Sequence, residues 1–164
     1  MNVIDSSAWH SYFAGDKNSS VFSRPIENLY KLLVPSITIA EVFKTVFRQR
    51  DQETALTVVA HMQQGQVVPL DAELAINAAS HGLSYKLPLA GSIIFATARK
   101  YAATTWTRDT VFKGLPKVRF YPKAKHAQVR SDSLAPRPYL QMTGSLGASE
   151  VPEAGVSVRE TGAP

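Results

Sequence analysis

The chain has 164 residues, 45% of them hydrophobic and 19% charged, which is the balance of a soluble globular protein able to bury one core. It contains no cysteine, which excludes disulfides, thiolate metal sites and a cysteine nucleophile. The net charge is +5 and is unevenly placed: residues 1–123 hold 14 Lys and Arg against 9 Asp and Glu, whereas residues 124–164 hold 4 against 4.

That excess favours a polyanionic partner such as nucleic acid. No apolar run approaches the length of a membrane span, so no membrane association is expected. The N-terminal MNVIDSSAWH lacks the basic-then-apolar order of a secretory signal, and a cytoplasmic location is expected.

Asn2–Asp5 is a short apolar run ending in an acid. The segment 26–33 (IENLYKLL) is helical in pattern, and 34–36 (VPS) follows as a strand end. From Thr38 to Arg50 the residues Ile39, Val42, Phe43, Val46 and Phe47 share one helical face. A second helix spans 52–63 and stops at Gly65, and 67–70 (VVPL) reads as a strand. Asp71 is a good N-cap for the helix that follows, since its side chain can accept from the orphan N–H groups of the first turn.

Pro88 suits a helix start, and the run from Leu89 is apolar and alanine-rich. Gly91 fits poorly inside that helix, where glycine costs about 1 kcal/mol relative to alanine. Strands at 104–106 (TTW) and 118–121 (VRFY) complete an alternation of strand and helix, which argues for a parallel sheet covered on both faces. Composition changes near Lys123: residues 124–164 carry four prolines, four glycines and one aromatic residue, Tyr139, with no persistent period. Residues 1–123 are therefore expected to form the domain, and residues 124–164 to lack stable structure.

In open parallel sheets, ligands bind outside the carboxyl ends of the strands where strand order reverses. Three acids stand at such ends: Asp5 after the first strand, Glu41 one turn into a helix, and Asp109 beside Thr107 after the strand at Trp106. Three oxygen donors suit a hard cation such as Mg²⁺ or Mn²⁺. Each acid also has a structural reading. Glu41 follows Thr38 by three residues as in a capping box, Asp109 can shape a turn, and Asp5 can cap the next helix.

Asp51 and Asp71 read as helix starts only. The four histidines, His10, His61, His81 and His126, show no ligand spacing and are expected on exposed faces. There is no phosphate-binding glycine loop and no nucleophile elbow, and no serine has an evident histidine partner.

The segments VIDSSAW, PSITIAEVFKTVFR and LPLAGSIIFATARKYAATTWTRDTVFKGL resemble the PIN-domain ribonucleases, and most of all the VapC-type toxins of bacterial toxin–antitoxin pairs. The likeness spans about residues 1–123 in the family's order and spacing. It implies a parallel five-stranded sheet flanked by helices, and an acid cluster that holds Mg²⁺ or Mn²⁺ and hydrolyses RNA. It also implies a homodimer silenced by an antitoxin.

On that resemblance Asp5, Glu41 and Asp109 match catalytic, metal-holding acids, with Ser6 or Thr107 as a neighbouring polar group. Two positions depart. Gly91 stands where the family pattern LPLAD has an aspartate, and Val111 where T-x-D-x-D has its second acid. Activity is therefore expected to be weak or absent, and the alternative is an inactive protein that binds RNA or an antitoxin. Arg48, Arg50, Arg99, Lys100 and Arg108 are the basic candidates for RNA contact. A small nucleotide-binding domain is disfavoured by the missing phosphate loop.

Overall fold

The computed structural model describes residues 1–17 and 19–123. The expectation for residues 124–164 lies outside the described residues. Five strands form one sheet: β1 (Asn2–Ile4), β2 (Leu32–Pro35), β3 (Gln66–Val68), β4 (Thr104–Thr107) and β5 (Val118–Phe120). Their order is β3-β2-β1-β4-β5 and every pairing is parallel. Six helices connect them: α1 (Ser6–Ala14), α2 (Ser19–Glu27), α3 (Ser36–Gln49), α4 (Gln52–Met62), α5 (Ala72–Tyr85) and α6 (Leu89–Lys100). The expected α/β fold, a five-stranded parallel sheet flanked by helices, is the observed one.

The sheet is covered on both faces because neighbouring strand residues point to opposite sides. Val3 and Leu33 belong to a core with Leu74, Ala78, Ile94 and Phe95 from α5 and α6. Ile4, Leu32 and Val34 belong to the other, with Trp9, Phe22, Ile26, Val42, Val58 and Met62 from α1 to α4. Helix α6 is sunk deepest: every residue from Gly91 to Ala98 is buried, so its alanines and glycine allow close packing on several sides.

Local signals place most elements and miss some. The run 26–33 is not one helix: α2 ends at Glu27, a short 3₁₀ turn spans Leu29–Lys31, and Leu32 and Leu33 already belong to β2. Their helical spacing is overridden because they fill both faces of a central strand. Helix α3 begins at Ser36, with Pro35 as an N-cap that makes no side-chain bond. Thr38 therefore lies inside the first turn, its buried hydroxyl unpaired, and the capping box is not formed. Asp51 and Asp71 do cap α4 and α5, each accepting from a backbone N–H at 2.7 Å.

The described histidines are half-buried rather than exposed. His61 packs among Trp9, Tyr12 and Phe13, stacked on Tyr12 at 5.8 Å, and its Nδ1 is buried without a partner. Burial holds its pKa below the ordinary 6.5, against a smaller upward pull from Glu27. The folded state thus disfavours the proton. Stability is full above 6.5 and falls as pH drops through that value toward the lower folded one. In denaturant titrations at neutral and mildly acidic pH, His61→Phe is expected to match or exceed the parent at neutral pH and to lose less on acidification, because the substitution removes both the orphaned nitrogen and the titration.

Candidate active site

Strand order reverses between β1 and β4, since β1, β2 and β3 step one way and β4 and β5 the other. The crevice at their carboxyl ends receives Asp5 from β1 and the Thr107-Arg108-Asp109 turn from β4. Asp5 is 4% exposed, and its Oδ2 accepts three hydrogen bonds: from Ser7 N–H at 3.2 Å, Ser7 Oγ at 2.5 Å and Thr107 Oγ1 at 2.8 Å. These hydroxyls in turn accept from the turn: Arg108 N–H donates to Ser7 Oγ at 3.0 Å, and Asp109 N–H to Thr107 Oγ1 at 2.9 Å. Asp5 therefore both caps α1 and anchors the turn.

Oδ1 of Asp5 takes no hydrogen bond among the described residues. Burial raises the Asp5 pKa; the Ser7 and Thr107 bonds oppose that rise, and the Asp109 charge adds to it. Glu41, on α3, is half-buried with its Oε2 enclosed and unpartnered. Burial raises its pKa as well; a Ser6 hydrogen bond opposes this, and the Asp5 and Asp109 charges add to it. The Asp109 charge acts on both Asp5 and Glu41, and the Asp5 charge on Glu41, as expected of acids near one crevice. Asp109 is exposed, and its Oδ1 accepts from Val111 N–H at 3.1 Å, so it also shapes the turn.

Among the described residues, no three His, Cys, Asp or Glu side chains stand together as a complete ligand group. What the crevice offers a cation is a pair, the unbonded oxygen of Asp5 and the orphaned Oε2 of Glu41, with Asp109 at the rim. That suits one hard ion, which binds through one or two carboxylates and completes its shell with water and phosphate oxygens. Gly91 occupies the first turn of α6, which begins at the same edge of the sheet. A Cβ there would lie 3.4 Å from Phe112 Cζ and from Pro88 Cδ and Cγ, ordinary contact distances. Val111 follows Asp109 in the short 3₁₀ turn Thr110–Phe112 and is exposed.

The basic candidates lie apart. Arg48 and Arg50 stand at the far end of α3, roughly 10 Å or more along the helix from Glu41 at 1.5 Å per residue. Arg99 and Lys100 end α6 at the same far edge, and Lys100 pairs with Asp71 and Glu73. Arg108 alone adjoins the acids, mostly buried and paired with Asp16, which also accepts from Ser11 Oγ at 2.6 Å.

Beside the crevice run two connected depressions of about 330 and 390 Å³ that share Ser7, Arg108 and Lys123. The first adds Ser6, His10 and Asp16; the second adds Asp109, Thr110 and Phe120. Ser7, His10, Asp16, Phe120 and Lys123 were not singled out by sequence. Only for Ser7, beside Asp5 and Ser6, was there a local signal.

Two outcomes follow. Thr107→Val removes the donor to Asp5 and the acceptor of Asp109 N–H, and should lower stability by about 1–3 kcal/mol in chemical denaturation, with Thr107→Ser restoring most of it. Glu41→Gln relieves an unpaired buried charge, so it should melt above the parent in EDTA at neutral pH. Mg²⁺ or Mn²⁺ should then raise the parent's melting temperature more than the variant's.

The family model of the PIN domain matches residues 3–118. No curated protein matches the chain by sequence. Among solved structures, a toxin–antitoxin complex from Klebsiella pneumoniae aligns with TM-score 0.64 and 19% identity, covering 75% of this chain and 100% of that one. The sarcin–ricin-loop-cleaving toxin VapC20 of Mycobacterium tuberculosis aligns with TM-score 0.60 and 19% identity over 73% and 99% of the two chains. DNA-bound VapBC from Salmonella typhimurium aligns with TM-score 0.59 and 16% identity over 74% and 96%. At these identities the structural likeness establishes the fold, and the family match extends over well more than half of the chain, from the strand that carries Asp5 to the last strand of the sheet. The chain belongs to the PIN-domain family.

Proposed function

We propose that this protein is a metal-dependent endoribonuclease toxin of a toxin–antitoxin pair, weakened or silenced at one position of its acid cluster. The observation that carries this reading is the pairing of an oriented, buried Asp5 with the orphaned Oε2 of Glu41 at the strand-order reversal of a PIN fold. PIN and VapC proteins are ribonucleases as a family, and the structural neighbours include toxin–antitoxin complexes. An RNA substrate, a cognate antitoxin and a homodimer are the partners this implies. No helix among the described residues is long and apolar enough to cross a membrane, which fits a cytoplasmic toxin.

In this reading Asp5 and Glu41 hold Mg²⁺ or Mn²⁺, and Asp109 at the rim completes the catalytic set. When bound, such a cation neutralises charge on the phosphodiester and acidifies a water. The chain's own part is orientation: Ser7 and Thr107 hold Oδ2 of Asp5 and leave Oδ1 for the ligand role. Thr107 couples Asp5 to the Asp109 backbone, so the rim acid is set by the same hydroxyl that sets the buried one.

A second reading, an inactive PIN protein that binds RNA or an antitoxin, is favoured by Gly91. A Cβ at 91 would meet Phe112 and Pro88 at 3.4 Å, so close approach to that first atom does not by itself demand glycine. An aspartate in the first turn of α6 would suit the helix N-terminus, by about 0.3–1 kcal/mol, and would supply the further carboxylate the crevice lacks.

The deciding experiment incubates the parent, Gly91→Asp and Asp5→Ala with mixed RNA in Mg²⁺ or Mn²⁺, with an EDTA control. Gly91→Asp is expected to cut more than about tenfold faster than the parent, the scale on which metal-site residues act, with Asp5→Ala and EDTA abolishing cleavage. Equal, metal-dependent cleavage by the parent and Gly91→Asp would show that the glycine is without consequence. No cleavage by either would favour the binding protein.

A further inference from the structure

The excess positive charge of the described chain is concentrated in the segment that follows β4. Residues 108–123 hold Arg108, Lys113, Lys117, Arg119 and Lys123 against the single acid Asp109, a net of +4 in a domain whose net is +5. Its two ends, Arg108 and Lys123, meet at the exposed rim beside the crevice, whereas Lys117 lies at the amino end of β5 and donates to the Ala102 carbonyl at 3.3 Å. Within the rim, the depression of about 390 Å³ runs from Asp109 past Thr110 to Phe120 and Lys123.

The cations of this rim are not equivalent. Arg108 is committed to Asp16, and its Nε is enclosed in protein. Arg119 lies over the Trp106 ring at 4.9 Å. Lys123 is exposed and makes no ion pair among the described residues. Phe120 is half-exposed and makes no ring contact among the described residues, whereas its neighbour Tyr121 stacks on Trp106 at 6.0 Å. A free ammonium and an uncommitted aromatic ring in one open groove are the two elements with which proteins hold single strands, one for a phosphate and one for a base face.

We infer that this groove is a single-stranded RNA subsite, in which Lys123 takes a backbone phosphate and Phe120 a base, leading the strand to Asp109 at the rim of the acid crevice. The inference rests on the ribonuclease reading above and adds a path to it. It also gives the acid cluster a counterpart. A polyanion repelled by Asp5, Glu41 and Asp109 is retained by the basic rim next to them, so binding is separable from cleavage and survives the loss of a metal ligand. The rim, and not the distant ends of α3 and α6, is then the place where the chain's excess charge acts.

The test measures fluorescence anisotropy of a short fluorescein-labelled RNA of mixed sequence with the full chain in EDTA, across a salt series. Lys123→Gln is expected to flatten the log–log salt dependence by about 0.7, the loss of one single-strand phosphate contact. Phe120→Leu is expected to weaken binding roughly five- to a hundredfold, the range for one stacked base. Lys31→Gln, on the opposite edge of the sheet, should change neither. Lys123 is exposed, so its variant should melt with the parent and keep the assignment testable even if Phe120→Leu loses stability.

RNA binding that is unaffected by Lys123→Gln and Phe120→Leu, or that is lost with Arg48→Gln and Arg99→Gln instead, overturns the groove and leaves the ribonuclease reading standing. Failure of the parent to bind the RNA at any salt overturns both.

Discussion

The site depends on how a buried carboxylate is kept tolerable. Asp5 sits at the end of a central strand with almost no solvent access, and such a charge is costly unless it is hydrogen-bonded. Ser7 and Thr107 supply the bonds, and their own hydroxyl oxygens are occupied by the N–H groups of Arg108 and Asp109. Two strands adjacent in space and a hundred residues apart in sequence are thereby tied at their carboxyl ends. The same bonds that offset the burial of Asp5 set the turn that presents Asp109 and forms the wall of the neighbouring groove.

Topology explains why this network forms here. Because β1 lies between β2 and β4, the connections leaving β1 and β4 diverge to opposite sides and open a crevice between them. Helix α3 leaves β2 at the same edge and carries Glu41 into the crevice after little more than one turn. Helix α6 enters from this edge with Gly91 in its first turn, running back toward the start of β4. Parallel strands make these arrivals coincide, since the carboxyl ends of β1, β2 and β4 lie on one side of the sheet.

Electrostatically the edge is divided. Burial, with a smaller push from neighbouring acid charges, raises the pKa values of Asp5 and Glu41, and an oxygen of each is left without a protein partner, an arrangement that a cation would relieve. Directly beside them the Arg108–Lys123 rim is basic, with Asp16 and Ser11 holding Arg108 in place. On the other face of the sheet's core, small residues in α6 let α5 and α6 pack closely, and Lys100 pairs with Asp71 and Glu73 at their exposed end.

The sequence alone determined the alternation of strands and helices, the caps at Asp51 and Asp71, and the positions of Asp5 and Asp109 after strands and of Glu41 one turn into a helix, because these follow from periodicity and local hydrogen bonding. The odd glycine at 91 was also legible, as a residue out of place in a buried helix. Other features were set by the tertiary structure. Leu32 and Leu33 became strand because both sheet faces needed filling, and Thr38 lost its capping role when α3 began at Ser36. His61 moved from an expected surface into an aromatic cluster. The groove of Ser7, Arg108, Phe120 and Lys123 joins residues from opposite ends of the domain, and no local spacing encodes it. What acts through the chain's own backbone is readable along the chain; what acts across the sheet exists only once β1, β4 and β5 lie side by side.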